Sequence, residues 1–545
     1  MAQEDEVRCV ERTSTCGCVR QRVTDALETL DPIHTARYDY DDEVCGCLDG
    51  TRVQVLQKLK DWTMDHSSKP VFWLSGPVGT GKTAIAKSFC QWFEEEKMLG
   101  ASFFANREES RRSARSIVRT IAYDLAKSLP ELGTPISDAI QRDRAILSRS
   151  IRDQIKALVI ESLRSMEPSL PVVLVIDGLN DGRGRYGRPA GELIPTFVSS
   201  LRKLSSPVKL LLLGSRENGV QELFDECKVE RHDLGQYAVQ ADVRLYYQHA
   251  FLDIAQTWHL HAWPSADDLN ALVIMSGQLF IFASTVVAYL RSRRHDPVRR
   301  LRSFLDFDHG SALGPLDRLY RIILDDAIRE DDHDHKDDKG LCERIQKLLA
   351  AVVLVAEPLR MVDLALLLNL HLQELRTDLQ ALSSVIVVPN DSTDSIKIFH
   401  HSFADFLSDP LRCTDNRFVM VSDTEHAILA CICLSWLSGL EPNICEIEFP
   451  GLPNSEVREL DQKLTRHIPR HVQYAIRQWV HHAAETQLPS QTLVDSVAKF
   501  VNTGATSWIE ACSLLDCLDQ VIGNLQSVAR WLYVGCPIIT VAERL

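Results

Sequence analysis

The sequence predicts an α/β fold in which a parallel sheet is covered by helices, followed by largely helical subdomains. Three observations predict it. Between Val71 and about Leu234, apolar runs of four to six residues alternate with long amphipathic stretches. Strands that are apolar throughout and joined by helix-length connections belong to sheets buried on both faces. A glycine-rich segment stands directly after the first apolar run and directly before a helical stretch. Beyond about residue 236 the strand signal fades and helical periodicity takes over.

The elements follow in order. Residues 1–69 mix charge, cysteine and short helical stretches, and TRVQVLQKLKDW places Val53, Leu56, Leu59 and Trp62 on one helical face. VFWL at 71–74, ASFF at 101–104, PVVLVI at 171–176 and VKLLLL at 208–213 read as buried strands. Leu269 to Leu290 contains no charged residue and is followed by Arg291, Arg293 and Arg294. Its length permits a membrane span. Yet Asn270, Ser276, Gly277, Gln278, Ser284 and Thr285 interrupt it, and a span with those arginines in the cytosol would put the preceding segments outside. A buried core helix is expected there instead. The charge run IREDDHDHKDDKG (328–340) reads as a solvated loop, and its His and Asp match no metal-ligand spacing.

From Arg344 to Leu411 two apolar helical segments precede SSVIVVP, a turn at NDSTDS, a second short run IKIFH and a helix through SFADFLSD. That is the outline of a winged helix. It carries little Lys or Arg on the segment that would enter a groove, so an interaction role is expected rather than DNA binding. The remainder is helical, with Trp436, Trp479, Trp508 and Trp531 expected in its core. The boundaries read as a lead-in segment 1–69, an α/β core 70–235, a helical domain 236–340, a winged-helix domain 341–420 and a C-terminal helical domain 421–545.

Composition is consistent with several domains. The chain has 545 residues, 45% of them apolar and 25% charged, which is ordinary for globular proteins. Sixty Lys and Arg against 75 Asp and Glu give a net charge of −15, so bulk charge repels a polynucleotide. The start, MAQEDEVRCVERTSTCGC, lacks the apolar core of a secretory signal, and a cytoplasmic location with reduced thiols is expected. Most of the 15 cysteines, such as Cys90, Cys431 and Cys433, lie singly in apolar segments and read as small packing residues. Cys16, Cys18, Cys45 and Cys47 form two CGC pairs, a spacing shorter than zinc sites usually use.

The strongest chemical signal is Gly76-Pro77-Val78-Gly79-Thr80-Gly81-Lys82-Thr83-Ala84. It matches the P-loop pattern in the context that pattern requires, strand before and helix after. The glycines let the chain wrap a polyphosphate, successive amide N–H groups point inward, and the following helix offers its positive end. Lys82 is the candidate for the β- and γ-phosphates and Thr83 for Mg²⁺. Asp177 ends a buried strand at the sheet edge where ligands of open α/β sheets bind, and is the expected second metal-site residue. VKLLLLGSRE ends in Ser215-Arg216, and Arg216 is the candidate sensor of the γ-phosphate.

These residues carry a resemblance. WLSGPVGTGKTAIA, VVLVIDGLND and LLLLGSRE resemble NACHT domains, members of the STAND class of P-loop NTPases that work as signalling switches. CLDGTRVQVLQKLKDW (47–62), SFFANREESRRSARSIVRTIAYDLA (102–126), GQLFIFASTVVAYL (277–290) and FHHSFADFLSD (399–409) are more closely similar to the NACHT, or NLR-like, proteins expanded in mushroom-forming fungi. The resemblance spans about residues 25 to 530. It implies an α/β P-loop NTPase core followed by helical, winged-helix and second helical domains that close around ADP and open with ATP and Mg²⁺. It further implies self-association in the ATP state, protein partners, and a role in fungal non-self recognition or cell death. Within it His400, beside His401, matches a histidine that touches the diphosphate. Gly277-Gln278-Leu279-Phe280 falls where relatives contact adenine, without their proline. Where the family has a second Asp followed by Glu, this chain has Asn180-Asp181. Asn180 is no base at any pH, and Asp181 is one methylene shorter than Glu, so hydrolysis is expected to be slow or absent. The effector domain and repeat arrays that fungal relatives often carry are not expected within these 545 residues, which reads either as a truncated gene model or as a chain that signals through partners and its own helical surfaces.

Overall fold

The structure is a computed structural model that describes residues 21–40, 46–105, 114–166, 170–178, 189–204, 207–214, 229–292, 295–306, 313–328, 338–449 and 451–535. The chain divides into two compact units, Met1–Ala283 and Ser284–Leu545.

Among the described residues the first unit is built on five strands: β1 (Val71–Ser75), β2 (Leu99–Phe104), β3 (Val172–Asp177), β4 (Val208–Gly214) and β5 (Glu230–Asp233). Their order is β2-β3-β4-β1-β5, and every neighbouring pair is parallel. Parallel pairing requires a crossover between successive strands, and the amphipathic stretches supply it as helices. The four apolar runs are the first four strands. The fifth, Glu-Arg-His-Asp, is half-buried at every position and pairs only with β1. As an edge strand it needs no apolar run, so it leaves no trace in the hydropathy pattern.

Side chains of a strand alternate between faces, and the core divides accordingly. Trp73, Phe103, Leu174, Ile176, Leu210 and Leu212 enter one apolar layer, together with residues of the helix Ala114–Ser128. Phe72, Leu74, Val173, Val175, Leu211 and Leu213 enter the other, with the helix Lys82–Glu95. Each fully buried aliphatic or aromatic side chain contributes roughly 1.5–3 kcal/mol. The stretch preceding β1 belongs to both layers: Leu27, Leu30 and Ile33 join the first, and Val55, Leu59 and Trp62 the second. On the helix Val53–Met64 the buried stripe therefore starts at Val55, while Val53, expected on that face, is exposed at the helix entrance. Lys209, the one charge in VKLLLL, is buried, and its Nζ donates to Asp65 O at 2.9 Å.

Burial has a measurable consequence at Asp124 on the helix Ala114–Ser128. Desolvation raises its pKa to about 6, outweighing the pull of Arg37 at 3.7 Å and of the Ser102 N–H. A carboxyl raised on folding contributes stability that is complete below its unfolded pKa and is lost as pH rises through about 6. Asp124→Asn is expected to remove this dependence. Relative to the variant, the wild type should lose on the order of 2–3 kcal/mol between pH 4 and pH 8, read from denaturant midpoints. A constant difference across that range would contradict the assignment.

The uncharged stretch 269–290 is two helices rather than the single core helix expected. Ala266–Ser276 ends at Gly277, whose φ of +55° turns the chain, and Phe280–Arg291 follows. Ile274 is exposed while Phe282, Val286 and Leu290 are buried. No helix among the described residues is long and apolar enough to cross a membrane.

In the second unit the helices Asp338–Leu354, Met361–Leu367 and Leu372–Ala381 precede a two-stranded antiparallel sheet, β6 (Ile386–Val387) and β7 (Lys397–Ile398), and the helix His401–Ser408. The sequence reading has two helical segments before the hairpin, and the structure has three, because the second apolar stretch is broken after Leu367 into two short helices. Farther on, Ser422–Leu437 packs along Arg470–Glu485. Trp479 and Trp508 are buried with Phe500 in an edge-to-face aromatic cluster. Trp436 is half-buried, with its Nε1–H on Leu367 O at 3.2 Å. The side chain of Trp531 lies outside the described residues.

Candidate nucleotide-binding site

Register brings the site together. Ser75 pairs with Gly214 and Asp233, Leu213 with Asp177, and Asp177 with Phe104. The carboxyl ends of all five strands thus lie at one level, and the glycine-rich loop leaves this edge from β1.

The loop's conformation can be read from its carbonyls, because a trans peptide that points its C=O one way points its N–H the other. Gly76 O and Pro77 O accept from Lys82 Nζ at 3.0 and 2.9 Å. Gly79 O accepts the Ile281 N–H at 3.1 Å, Thr80 O accepts from Arg52 Nη2 at 2.7 Å, and Gly81 O accepts the first helical N–H, from Ile85, at 3.1 Å. The carbonyls of Gly79 and Thr80 are thereby tied to protein, and the N–H groups of the same peptides, those of Thr80 and Gly81, point the opposite way. Gly79 and Gly81 have φ of +82° and +86°, which side-chain-bearing residues adopt only under strain. Gly76 is required for a different reason: a Cβ there would lie 3.0 Å from Leu234 Cβ and from Thr80 Oγ1. Thr80 itself is buried, its hydroxyl on Pro77 O at 2.8 Å, whereas Val78 is exposed and Ala84 half-buried in the first turn of the helix.

Thr83, in that first turn, donates its hydroxyl to Asp177 Oδ2 at 2.6 Å. Asp177 is buried at the end of β3, and burial pushes its carboxyl above the usual range. The Thr83 hydroxyl, the Lys82 charge and the Gly178 N–H pull the other way. Gly178 has φ +83°, and a Cβ would meet Ala105 O at 2.8 Å, so the chain can leave β3 here only through glycine. A hydroxyl and a carboxylate are hard oxygen donors of the kind Mg²⁺ takes, with its remaining positions filled by phosphate and water. Among the described residues no group of three or more His, Cys, Asp or Glu gathers to hold a metal. The two oxygen donors present leave the other positions of such an ion to phosphate and water.

The segment Gly277–Phe280 is brought to the loop. The Phe280 ring lies 3.9 Å from the position of a Cβ on Gly81, and Gln278 Nε2 reaches Gly235 O at 3.5 Å. In the second unit His400 is the N-cap of His401–Ser408, and its Nδ1 accepts the Ser402 N–H at 3.2 Å. That bond places the proton of the neutral ring on Nε2. Ser402 Oγ also meets Tyr320 Oη at 2.6 Å. Asn180, Asp181 and Arg216 lie outside the described residues, as do Cys16, Cys18 and Cys45 of the CGC pairs and residues 329–337 of the charge run.

Sequence reasoning missed Arg52 and the Ile281 N–H. Arg52 stands in CLDGTR, where helical periodicity draws attention to the apolar residues after it. A backbone N–H has no sequence signal at all.

The sheet order, the loop and the Thr83–Asp177 pair define an α/β P-loop nucleotide-binding core followed by helical domains. Residues 50–216 match the family described as nephrocystin 3, N-terminal. The match opens at Gly50, takes in the loop and Asp177, and closes on Arg216, less than half of the chain. No curated protein matches. Among solved structures, the ORC1 protein of Aeropyrum pernix in complex with DNA is similar at 14% identity, with a TM-score of 0.30, over 70% of this chain and 95% of that one. A likeness of that size carries no information on what this chain binds.

Proposed function

We propose that the chain is a nucleotide-dependent switch of the NACHT and STAND type, closed with ADP and open with ATP and Mg²⁺. The observation that carries the proposal is the loop itself, with the Thr80 and Gly81 N–H groups turned away from Ile281 and Arg52, Lys82 held by Gly76 O and Pro77 O, and Thr83 on Asp177. The match of residues 50–216 to the nephrocystin 3 N-terminal family supports it. Gly76 to Ala84 bind the phosphates. Thr83 and Asp177 would hold Mg²⁺, which when bound neutralises charge on the phosphate oxygens. Asp181 is the residue nearest in kind to a general base and Arg216 the γ-phosphate sensor. Asn180-Asp181 makes turnover slow or absent.

The γ-phosphate supplies contacts that ADP lacks, and only such a difference moves a two-state equilibrium. The hairpin unit of residues 341–420 reads as a winged helix within the five-part division given above, and His400 serves the ADP state. Self-association accompanies the ATP state in the cytoplasm, with protein rather than nucleic-acid partners.

The test is the co-purifying nucleotide together with the size-exclusion mass of the full chain in MgADP and in a magnesium-bound non-hydrolysable ATP analogue. Bound ADP, and a larger assembly only with the analogue, is the expected result. Equal mass and equal protease sensitivity in both states would leave a nucleotide-bound scaffold. Steady turnover well above one per minute, lost in Lys82→Ala, would instead mark a motor.

A further inference from the structure

Arg52 is a buried charge of the first unit that the phosphate loop engages directly. It is only 4% exposed and takes a φ of +55° at the entrance of the helix Val53–Met64. Its backbone N–H donates to Asp242 Oδ2 at 3.1 Å. Its guanidinium lies 4.9 Å from the centre of the Phe280 ring. Of the side-chain nitrogens, Nη2 donates to Thr80 O, whereas Nε and Nη1 are buried without a hydrogen-bond partner. Burying a guanidinium with two idle donors is costly, so the one bond it makes is the clue to its use.

We propose that Arg52 is a positioning residue of the phosphate loop. By holding the Thr80 carbonyl it turns the N–H of the same peptide, that of Gly81, to the opposite side, where a polyphosphate is bound. Gly81 has no side chain to restrain that peptide and populates both signs of φ freely. The restraint therefore comes from outside the loop. Asp242 fixes the Arg52 backbone, and the face of Phe280 supports the guanidinium in the way aromatic rings hold cations. Without Arg52 the Thr80 carbonyl is left buried and unpaired, or the peptide rotates to find a partner and takes the Gly81 N–H with it. Either way the loop must be reordered each time an anion binds. Arg52 touches no ligand in this account. Its effect falls on the phosphates and is indifferent to the base.

The inference rests on the nucleotide-binding reading and is tested with the full chain by calorimetry against MgATP and against magnesium tripolyphosphate, which has no base or ribose. Arg52→Met is expected to weaken both ligands by the same factor, on the order of tenfold or more. Arg52→Lys, which keeps a cationic donor, should recover most of the loss. Asp242→Ala, which releases the Arg52 backbone, gives a smaller loss of the same pattern, and serves if Arg52→Met does not fold. Loss of MgATP affinity with tripolyphosphate unchanged would mean that Arg52 touches the nucleoside, and would overturn the proposal. A lower melting temperature with both affinities unchanged would make it a structural residue only, and would overturn it equally. A wild-type chain that binds neither ligand overturns the nucleotide-binding reading, and this inference with it. Binding by the wild type that Arg52→Met leaves intact overturns the inference alone.

Discussion

Lys82→Ala is expected to weaken MgATP binding by about two to four orders of magnitude while leaving the fold in place. The ammonium is held over the loop by Gly76 O and Pro77 O at 3.0 and 2.9 Å, so its charge is already in position. A hydrogen bond to a charged group contributes about 1.5–3 kcal/mol. Two such bonds to phosphate oxygens are worth roughly 3–6 kcal/mol, and each 1.4 kcal/mol is a tenfold change in affinity. The structural cost is small: Pro77 O keeps the Thr80 hydroxyl at 2.8 Å, and Lys82 lies half-exposed in the first turn of its helix. Calorimetry paired with a thermal melt separates the two effects. An affinity within threefold of wild type would sink the assignment of Lys82 to the phosphates.

Asp177→Asn is expected to do two opposite things. Magnesium should no longer tighten ATP binding, a loss of roughly 10- to 100-fold of the kind seen when a residue that orients a metal's ligands is removed. The nucleotide-free protein should at the same time become more stable at neutral pH. The sign follows from burial, which raises the Asp177 carboxyl above its ordinary value against the pull of the Thr83 hydroxyl, the Lys82 charge and the Gly178 N–H. A raised carboxyl contributes stability that is full below its unfolded pKa and is lost as pH rises through the folded one. Ionisation of Asp177 as pH rises is therefore a burden the apo chain carries. Asparagine carries no charge, and its amide oxygen can still accept from Thr83. The advantage of the variant should be largest at pH 8 and vanish toward pH 4, measured by denaturant unfolding without nucleotide. A variant less stable than wild type at pH 8 would contradict the burial argument, and one that keeps its magnesium dependence would remove Asp177 from the metal site.

The legible part of the fold was the buried part. VFWL, ASFF, PVVLVI and VKLLLL announced four strands because burial on both faces demands continuous apolar residues. Glu230–Asp233 was silent for the same reason, since pairing with β1 at the sheet edge asks nothing of its side chains. The stretch 269–290 read as one helix because its apolar content is continuous across Gly277, and composition does not report the sign of a φ angle. The apolar face of Val53–Met64 runs through Val55, Leu59 and Trp62 and leaves Val53 exposed, because packing against the sheet rather than the period chose which residues face inward.

The site divides along the same line. Gly79, Gly81, Lys82 and Thr83 are neighbours in the chain, and the loop they form follows from local backbone freedom and reach, so the sequence alone determined its conformation. That Thr83 meets Asp177 across 94 positions, that Arg52 holds Thr80 across 28, and that the Ile281 N–H closes on Gly79 were decided only when the sheet was assembled. Residue patterns carry the conformation a segment takes and whether it is buried. Which distant atom it then touches depends on the packing of every layer between them.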